Sequence, residues 1–211
     1  MAAYARPALA LPVLRDAAGA VIPYGDRWDW DEGPPERYYS VTEHPERFAP
    51  LLTVAEALTA HLTAEYDATA REGEERRHGE RVRTVTLTPA APDAAALTFT
   101  FTGFPSVTLH AGRYFAAAFP DCGCDACDDS VEALAGELEW QTLAVAAGRL
   151  RETLRRGRVT CAISSPDGHG ISSEHRVTRP GARPPLPPDG WRPWPARVGP
   201  PGPAHGRTPP G

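Results

Sequence analysis

The chain has 211 residues, of which 41% are hydrophobic and 23% charged, and its formal net charge is −5. These values are typical of a soluble protein with one globular domain and irregular ends. The acidic balance argues against a nucleic-acid-binding protein, whose affinity rests on a basic surface. No apolar run approaches the roughly 20 residues of a membrane span. We therefore expect neither a nucleic-acid nor a membrane partner.

The N-terminus resembles a secretion signal only faintly, because Pro7, Pro12, Arg15 and Asp16 interrupt its apolar stretch. We expect a cytoplasmic protein, in which thiols stay reduced. Residues 1–40 show no sustained hydrophobic period, but they are too aromatic for a free tail. The rings that indicate this are Tyr24, Trp28, Trp30, Tyr38 and Tyr39. The pattern predicts an irregular arm with some rings buried on the domain; the alternative is that the rings line a ligand groove.

Residues 41–178 carry the periodic patterns of a domain. The first helix is predicted to begin near Pro45, since apolar residues recur at helical spacing from Phe48 to Tyr66. The charged run at 71–81 is predicted to be solvated and irregular. Alternating and β-branched residues predict antiparallel strands over 82–88, 96–102 and 107–110.

The second half of this domain predicts one helix and one hairpin. A capping box of Asp129 and Glu132 starts the helix, which is predicted to run to about residue 155. Residues 158–163 and 171–178 form the hairpin, with Cys161 on its apolar side. The predicted fold is α+β, an antiparallel sheet with two packed helices in the order α-βββ-α-ββ.

Residues 179–211 form a tail that contains 12 Pro and 6 Gly among its 33 residues. This composition predicts an extended, partly disordered segment. Trp191 and Trp194 are the exception, and we expect both to dock on the domain. The part that follows Arg197 has nothing to pack.

The most distinctive stretch is the cysteine loop, residues 119–129. It places Cys122, Cys124 and Cys127 within six residues and flanks them with four aspartates. Cys124 and Cys127 have the C-x-x-C spacing that binds one zinc ion, and Cys122 adds a third thiolate. Because three thiolates already outweigh the charge of Zn²⁺, a neutral fourth ligand such as histidine is favoured.

His110 is the best candidate for that ligand, because it ends the strand that leads into the cysteine loop. Its parity turns it away from the face of Val107 and Leu109. The alternative for His110 is a solvated strand end.

Two other interpretations of the cysteines stay open. Thiol redox chemistry needs a lowered pKa, and the neighbouring aspartates raise the pKa of Cys127. Reduced cysteines that fill a tight loop, or a pair that oxidises, are the plainer alternative.

Four blocks of the sequence, at 39–51, 97–112, 119–129 and 190–197, resemble a family of uncharacterised actinobacterial proteins. The CGCDACD block of the cysteine loop is the most specific of them. The resemblance implies a bacterial, intracellular protein in which 39–197 form one unit, and it supplies no catalytic residues.

Three hypotheses for function remain. The first is a binding or regulatory module with a structural zinc site and an unknown protein partner. The second is a cytosolic metal- or thiol-dependent enzyme that uses the cysteine loop and His110. The third is an acidic binding protein of the immunity or inhibitor type. An open coordination position favours an enzyme, and four protein ligands favour a structural site.

Overall fold

The computed structural model describes residues 2–29, 31–77, 79–165, 167–177 and 186–198. Within them, two α-helices pack with two antiparallel sheets, which confirms the α+β class. Two short 3₁₀ turns, Glu36–Tyr38 and Pro45–Phe48, precede the first α-helix. The elements in chain order are α1 (Pro50–Glu65), β1 (Ala68–Arg77), β2 (Glu80–Pro89), β3 (Leu97–Phe101), β4 (Val107–Ala111), β5 (Phe115–Phe119), α2 (Val131–Ala146), β6 (Leu150–Arg155), β7 (Arg158–Ser164) and β8 (Gly170–Arg176).

The larger sheet has the strand order β1-β2-β3-β4-β5. Its buried face follows the predicted alternation, with Phe99 opposite Leu109 and Phe101 opposite Val107. Helices α1 and α2 contact each other and the sheet, and their apolar side chains complete the core. Because Phe119 pairs with Val107, the cysteine loop leaves the sheet at the end where β4 begins.

Two strands of this sheet were not predicted. The prediction of an irregular segment at 71–81 is wrong, because most of this charged run lies in β1, the hairpin turn and the start of β2. β1 pairs with β2 along ten residues, so its backbone hydrogen bonds hold it although most of its side chains are exposed. β5 was hidden within the predicted loop, where three consecutive alanines follow Phe115.

The second helix is shorter than predicted. Ser130 caps α2 by accepting a hydrogen bond from Ala133 N at 3.2 Å, so Asp129 is not its N-cap. The helix ends at Ala146, before Gly148 with φ +73°. A Cβ at Gly148 would lie 2.5 Å from Pro193 N, so only glycine fits this turn. The residues predicted to extend the helix form β6 instead.

Strands β6, β7 and β8 form the smaller sheet, in that order. Glu152 of β6 is buried and joins this sheet to the β4–β5 turn. Its carboxylate accepts hydrogen bonds from the backbone N–H groups of Arg113, Tyr114 and Phe115 at 2.6–3.1 Å, and from Trp191 Nε1 at 2.9 Å. These four donors satisfy a charge that would otherwise be costly to bury.

The docked tryptophans are confirmed: Trp191 and Trp194 are 7% and 3% exposed. Trp194 Nε1 donates to Ala95 O at 2.8 Å. The prediction for the tail beyond Val198 lies outside the described residues.

The core position of Cys161 is also confirmed. It is fully buried with Val159 and Ile163 on the inner side of β7. The separation of Cys161 from the cysteine loop was predicted from a straight helix that runs to residue 155. That reason is wrong, since α2 ends nine residues earlier.

Candidate metal centre

The cysteine loop brings its three thiols together. The Sγ atoms of Cys122, Cys124 and Cys127 all lie within 4.8 Å of one another, and those of Cys124 and Cys127 are 3.4 Å apart. All three cysteines are free. Two sulfurs bound to one tetrahedral zinc lie roughly 3.8 Å apart, as Zn–S bonds of about 2.3 Å require. The spacing of the thiols therefore fits a single thiophilic ion.

Glycine makes this convergence possible. Gly123 has φ +82°, and a Cβ there would lie 2.9 Å from the ring of Phe104. The chain turns at this point and then again at Cys127, whose N–H donates to Cys124 O at 3.1 Å. The two turns direct three side chains from six residues toward one point.

Asp125, between two of these cysteines, is fully buried and directed at the N-terminal part of the chain. Its carboxylate accepts hydrogen bonds from Arg47 Nη1, Tyr24 OH and Glu43 N, each at 3.1 Å. Arg47 is also buried, and its guanidinium lies 4.0 Å from the centroid of the Tyr24 ring. The charge of Asp125 is thus paired with a cation.

Asp128 is held in a similar way by backbone groups. Its two carboxylate oxygens accept from Gly25 N at 3.0 Å and from Arg27 N at 2.7 Å. Of the four aspartates expected to oppose an anionic metal site, Asp125 is therefore paired with a cation, and Asp128 is stabilised by two backbone donors. Burial raises the pKa of the half-buried Asp129; Arg47 opposes this effect, and Asp128 and Asp121 add to it.

The N-terminal arm covers the cysteine loop. Backbone bonds join Asp125 N to Val41 O at 2.7 Å and Ala126 N to Tyr38 O at 3.1 Å. Trp28 Nε1 donates to Asp125 O at 3.1 Å. The Arg27 guanidinium lies 4.5 Å and 4.3 Å from the Trp28 and Tyr38 ring centroids. Trp28 and Tyr38 are half-buried beside the cysteine loop, Tyr39 is 51% exposed, and Trp30 lies outside the described residues.

The thiols differ in acidity. Burial alone would raise the pKa of Cys124, but hydrogen bonding with the thiols of Cys122 and Cys127 and with the backbone of Cys127 and Ser40 lowers that pKa to about 7. Burial and then the two neighbouring sulfurs raise the pKa of Cys127. The rise was predicted from the aspartates, but its main causes are burial and sulfur. Cys124 is consequently the preferred thiolate.

His110 does not join the thiols. It pairs with Ala116, three residues along β4 from the end at which the cysteine loop leaves the sheet. Arg77 Nη2 lies 2.5 Å from His110 Nε2. Because a guanidinium only donates hydrogen bonds, Nε2 must accept and Nδ1 carries the proton. Burial and then Arg77 lower the pKa of His110, and Glu75 partly offsets them.

His110 instead lines a cleft of about 440 Å³ with His175, at the junction of the two sheets. Among the described residues, the group that could hold a metal consists of the three cysteines, and no His, Asp or Glu side chain joins them. The donor set is therefore sulfur alone.

A family model matches residues 10–198, which include most of the arm, both sheets and the cysteine loop. The chain belongs to DUF6226, a family of unknown function. No curated protein and no solved structure matches it. Among the described residues, no helix is long and apolar enough to cross a membrane.

Proposed function

We propose that Cys122, Cys124 and Cys127 bind one zinc ion, and that this ion fixes the cysteine loop in the form on which the N-terminal arm docks, in a protein that acts as a binding or regulatory module. The observation that carries the proposal is the convergence of the three sulfurs within 4.8 Å. Thiolates are soft ligands that select zinc and copper(I) over calcium and magnesium. When bound, the metal supplies a cross-link between residues of one loop. Hydrogen bonds of the chain's own groups hold the arm against that loop.

Three features of the surrounding residues support metal binding. The lowered pKa of Cys124 makes one thiolate available near neutral pH. Arg47 pairs with the negative charge of Asp125, and backbone N–H groups stabilise the carboxylate of Asp128. The turn in which Cys127 N donates to Cys124 O at 3.1 Å fixes the backbone of two ligands, as outer groups orient ligands in metal proteins.

The N-terminal arm contacts the same loop. Residues of the arm between Tyr24 and Tyr38, and residues 41 and 43 directly after it, form hydrogen bonds with Asp125, Ala126 and Asp128, which lie between and beside the ligands. Anything that fixes the loop therefore favours docking of the arm, and by linkage the docked arm raises metal affinity. Binding of the metal ion would therefore change how firmly the arm is docked on the cysteine loop.

The first test is metal analysis of protein purified without a histidine tag, beside thiol counting under reducing conditions. We expect one zinc per chain, with three thiols protected until a chelator is added. Since zinc binds deprotonated thiols, the affinity should fall on acidification. Folded protein without metal, whose loop thiols react freely, would refute the site.

The second test separates the metal from the arm. Asp128→Asn keeps a residue that tolerates the φ of +51° found there. An amide oxygen and an NH₂ group cannot both accept from Gly25 N and Arg27 N, however. We expect zinc affinity to fall roughly 10- to 100-fold, as for other outer-group changes. Tryptic cleavage after Arg27 and Arg37 should become faster.

The matched control uses the other contact of the arm. Arg6 Nη2 pairs with Glu139 of α2 at 2.6 Å, and Tyr4 OH donates to the same carboxylate at 3.2 Å. Glu139→Gln should loosen the first residues of the arm without a change in zinc affinity. Equal loss of zinc in both variants would mean that the arm acts through overall stability and not through the loop.

A metal-dependent enzyme is the second candidate, because the described residues supply three ligands and Cys122 is exposed. An open position on the ion would then hold a water molecule. The position of His110 gives no support for its role as acid or base at this site.

A further inference from the structure

The cleft at the junction of the two sheets is lined by basic side chains. His110 and His175 lie there with Arg113, Arg176 and the ring residue Tyr114. No Asp or Glu is among the described residues that line it. Because the whole chain has a formal charge of −5, this concentration of positive charge is local. A cleft with such a lining attracts anions.

The β4–β5 turn, which forms one wall of the cleft, is held by Glu152. This carboxylate accepts hydrogen bonds from the backbone N–H groups of residues 113–115 and is not among the residues that line the cleft. These backbone donors are therefore occupied, and they offset the charge of Glu152. Recognition of an anion in the cleft depends on side chains.

His110 presents an N–H group whose tautomer is fixed. Arg77 Nη2 donates to His110 Nε2 at 2.5 Å, and Arg77 Nε donates to Glu75 Oε1 at 2.6 Å. The proton of the neutral ring therefore lies on Nδ1, and no acceptor for it is found among the described residues. A ligand oxygen can accept this hydrogen bond.

The end of β8 brings further donors to the cleft. The centroids of the His175 and Tyr114 rings are 6.5 Å apart, so the two sheets meet here. Arg176 is exposed and has no hydrogen bond or ion pair with the described part of the chain. The Arg113 guanidinium lies 5.7 Å from the centroid of the Trp191 ring. Guanidinium groups bind phosphate and carboxylate groups through paired hydrogen bonds.

The size of the cleft indicates an organic ligand. Its volume of about 440 Å³ is in the range of sites for small molecules. Phe115, Val177 and the Tyr114 ring add apolar surface to the lining. A phosphate monoester has a charge of about −1.5 to −2 and three acceptor oxygens. It therefore matches two arginines and an imidazole N–H better than a carboxylate with one charge.

We propose that this cleft binds a small phosphate monoester. His110 Nδ1–H donates to a phosphate oxygen, Arg113 and Arg176 supply the positive charge, and the organic part contacts Tyr114 and its apolar neighbours. The inference is independent of the metal site in the cysteine loop.

The test is isothermal titration calorimetry of untagged, reduced, full-length protein at low salt in a phosphate-free buffer. Phenyl phosphate, inorganic phosphate and benzoate are the probes. We expect one phenyl phosphate per chain, bound roughly tenfold more tightly than inorganic phosphate because its ring is buried. Benzoate should bind more weakly than phenyl phosphate because it carries less charge. No saturable binding of phenyl phosphate would overturn the inference, and tighter binding of benzoate would overturn the choice of phosphate.

Variants locate the binding. Arg176→Gln should weaken phenyl phosphate binding roughly tenfold, since a bond to a charged group is lost. Arg155→Gln, which removes the same charge from an exposed position of β6 outside the cleft, should leave the affinity unchanged. His110→Phe, with folding checked by circular dichroism, should weaken binding as Arg176→Gln does. Unchanged affinity in Arg176→Gln would overturn the site, and equal loss in Arg155→Gln would mean attraction to the general charge of the surface and overturn it as well.

Discussion

Two buried cysteines of this protein have opposite surroundings. Cys124 lies in the cysteine loop among donors, and its pKa is lowered to about 7. Cys161 lies in β7, where burial and then Glu152, whose Oε1 is 3.8 Å from Sγ, raise its pKa to about 12. Both thiols are less than 10% exposed. Burial alone therefore does not decide the chemistry of a thiol; the groups that point at its sulfur do.

The carboxylates next to these two cysteines, Asp125 and Glu152, also differ in their surroundings. Asp125 is as buried as Cys161, but its carboxylate accepts hydrogen bonds from Arg47 and Tyr24. It takes no part in the hydrogen bonding of the sulfurs in its own loop. Glu152 has no cation among these partners and accepts three backbone N–H groups and an indole instead. The surroundings in the loop thus favour a thiolate at Cys124, and those in β7 favour a neutral thiol at Cys161.

The largest expected difference between the two cysteines is in reactivity. Near neutral pH Cys124, whose pKa is lowered to about 7, carries far more thiolate than Cys161, whose pKa is raised to about 12. In metal-free, reduced protein we expect iodoacetamide to modify Cys124 far faster than Cys161, and the rate at Cys124 to rise from pH 5 to pH 8.

Mass spectrometry can measure this directly. Trypsin releases the two cysteines in separate peptides, Tyr114–Arg149 and Val159–Arg176, and fragmentation assigns the label among the loop cysteines. Comparable labelling of Cys161 in folded protein would contradict its protected position.

Removal of a ligand is the next largest effect. Cys124→Ser should lower zinc affinity by more than roughly 100-fold, because a hydroxyl replaces one of three thiolates. Cys161→Val, a change of similar volume, should leave zinc affinity within error and cost less than about 1.5 kcal/mol of unfolding free energy. Zinc titration against a chromophoric chelator compares the two; loss of zinc from folded Cys161→Val would place that thiol at the site.

The buried carboxylate beside Cys161 comes third. Glu152→Gln puts an NH₂ group where backbone N–H groups donate, so we expect a loss of about 3 kcal/mol of unfolding free energy, in the range of charge-assisted hydrogen bonds. The pKa of Cys161 should fall toward the ordinary value, since one of its causes is removed. Urea unfolding measures the first effect and pH-dependent thiol labelling the second. A stability equal to that of the parent chain would show that the carboxylate is not needed to join the sheets.

The two cysteines also show how far the sequence predicts this molecule. Strand parity placed Cys161 in the core, and C-x-x-C spacing grouped Cys124 with Cys127, because both rules act over a few residues. Nothing local indicated that Arg47, in a 3₁₀ turn, would pair with Asp125, 78 residues away. The separation of His110 from the thiols depended on β5, which turns the chain back along β4 and went unpredicted. Long-range pairing of charges and strands decided those parts of the site.

The smallest effects compare two tryptophans from the C-terminal segment. Trp191 Nε1 donates to the Glu152 carboxylate at 2.9 Å, and Trp194 Nε1 donates to the neutral Ala95 O at 2.8 Å. Replacement by phenylalanine keeps most of each ring's burial and removes one donor. Because bonds to charged groups contribute more, Trp191→Phe should cost about 2 kcal/mol and Trp194→Phe about 1 kcal/mol of unfolding free energy. Urea midpoints at a constant slope test the order, and zinc affinity should be unchanged in both; a larger cost at Trp194 would mean that packing, and not the charge of Glu152, sets the stability of this segment.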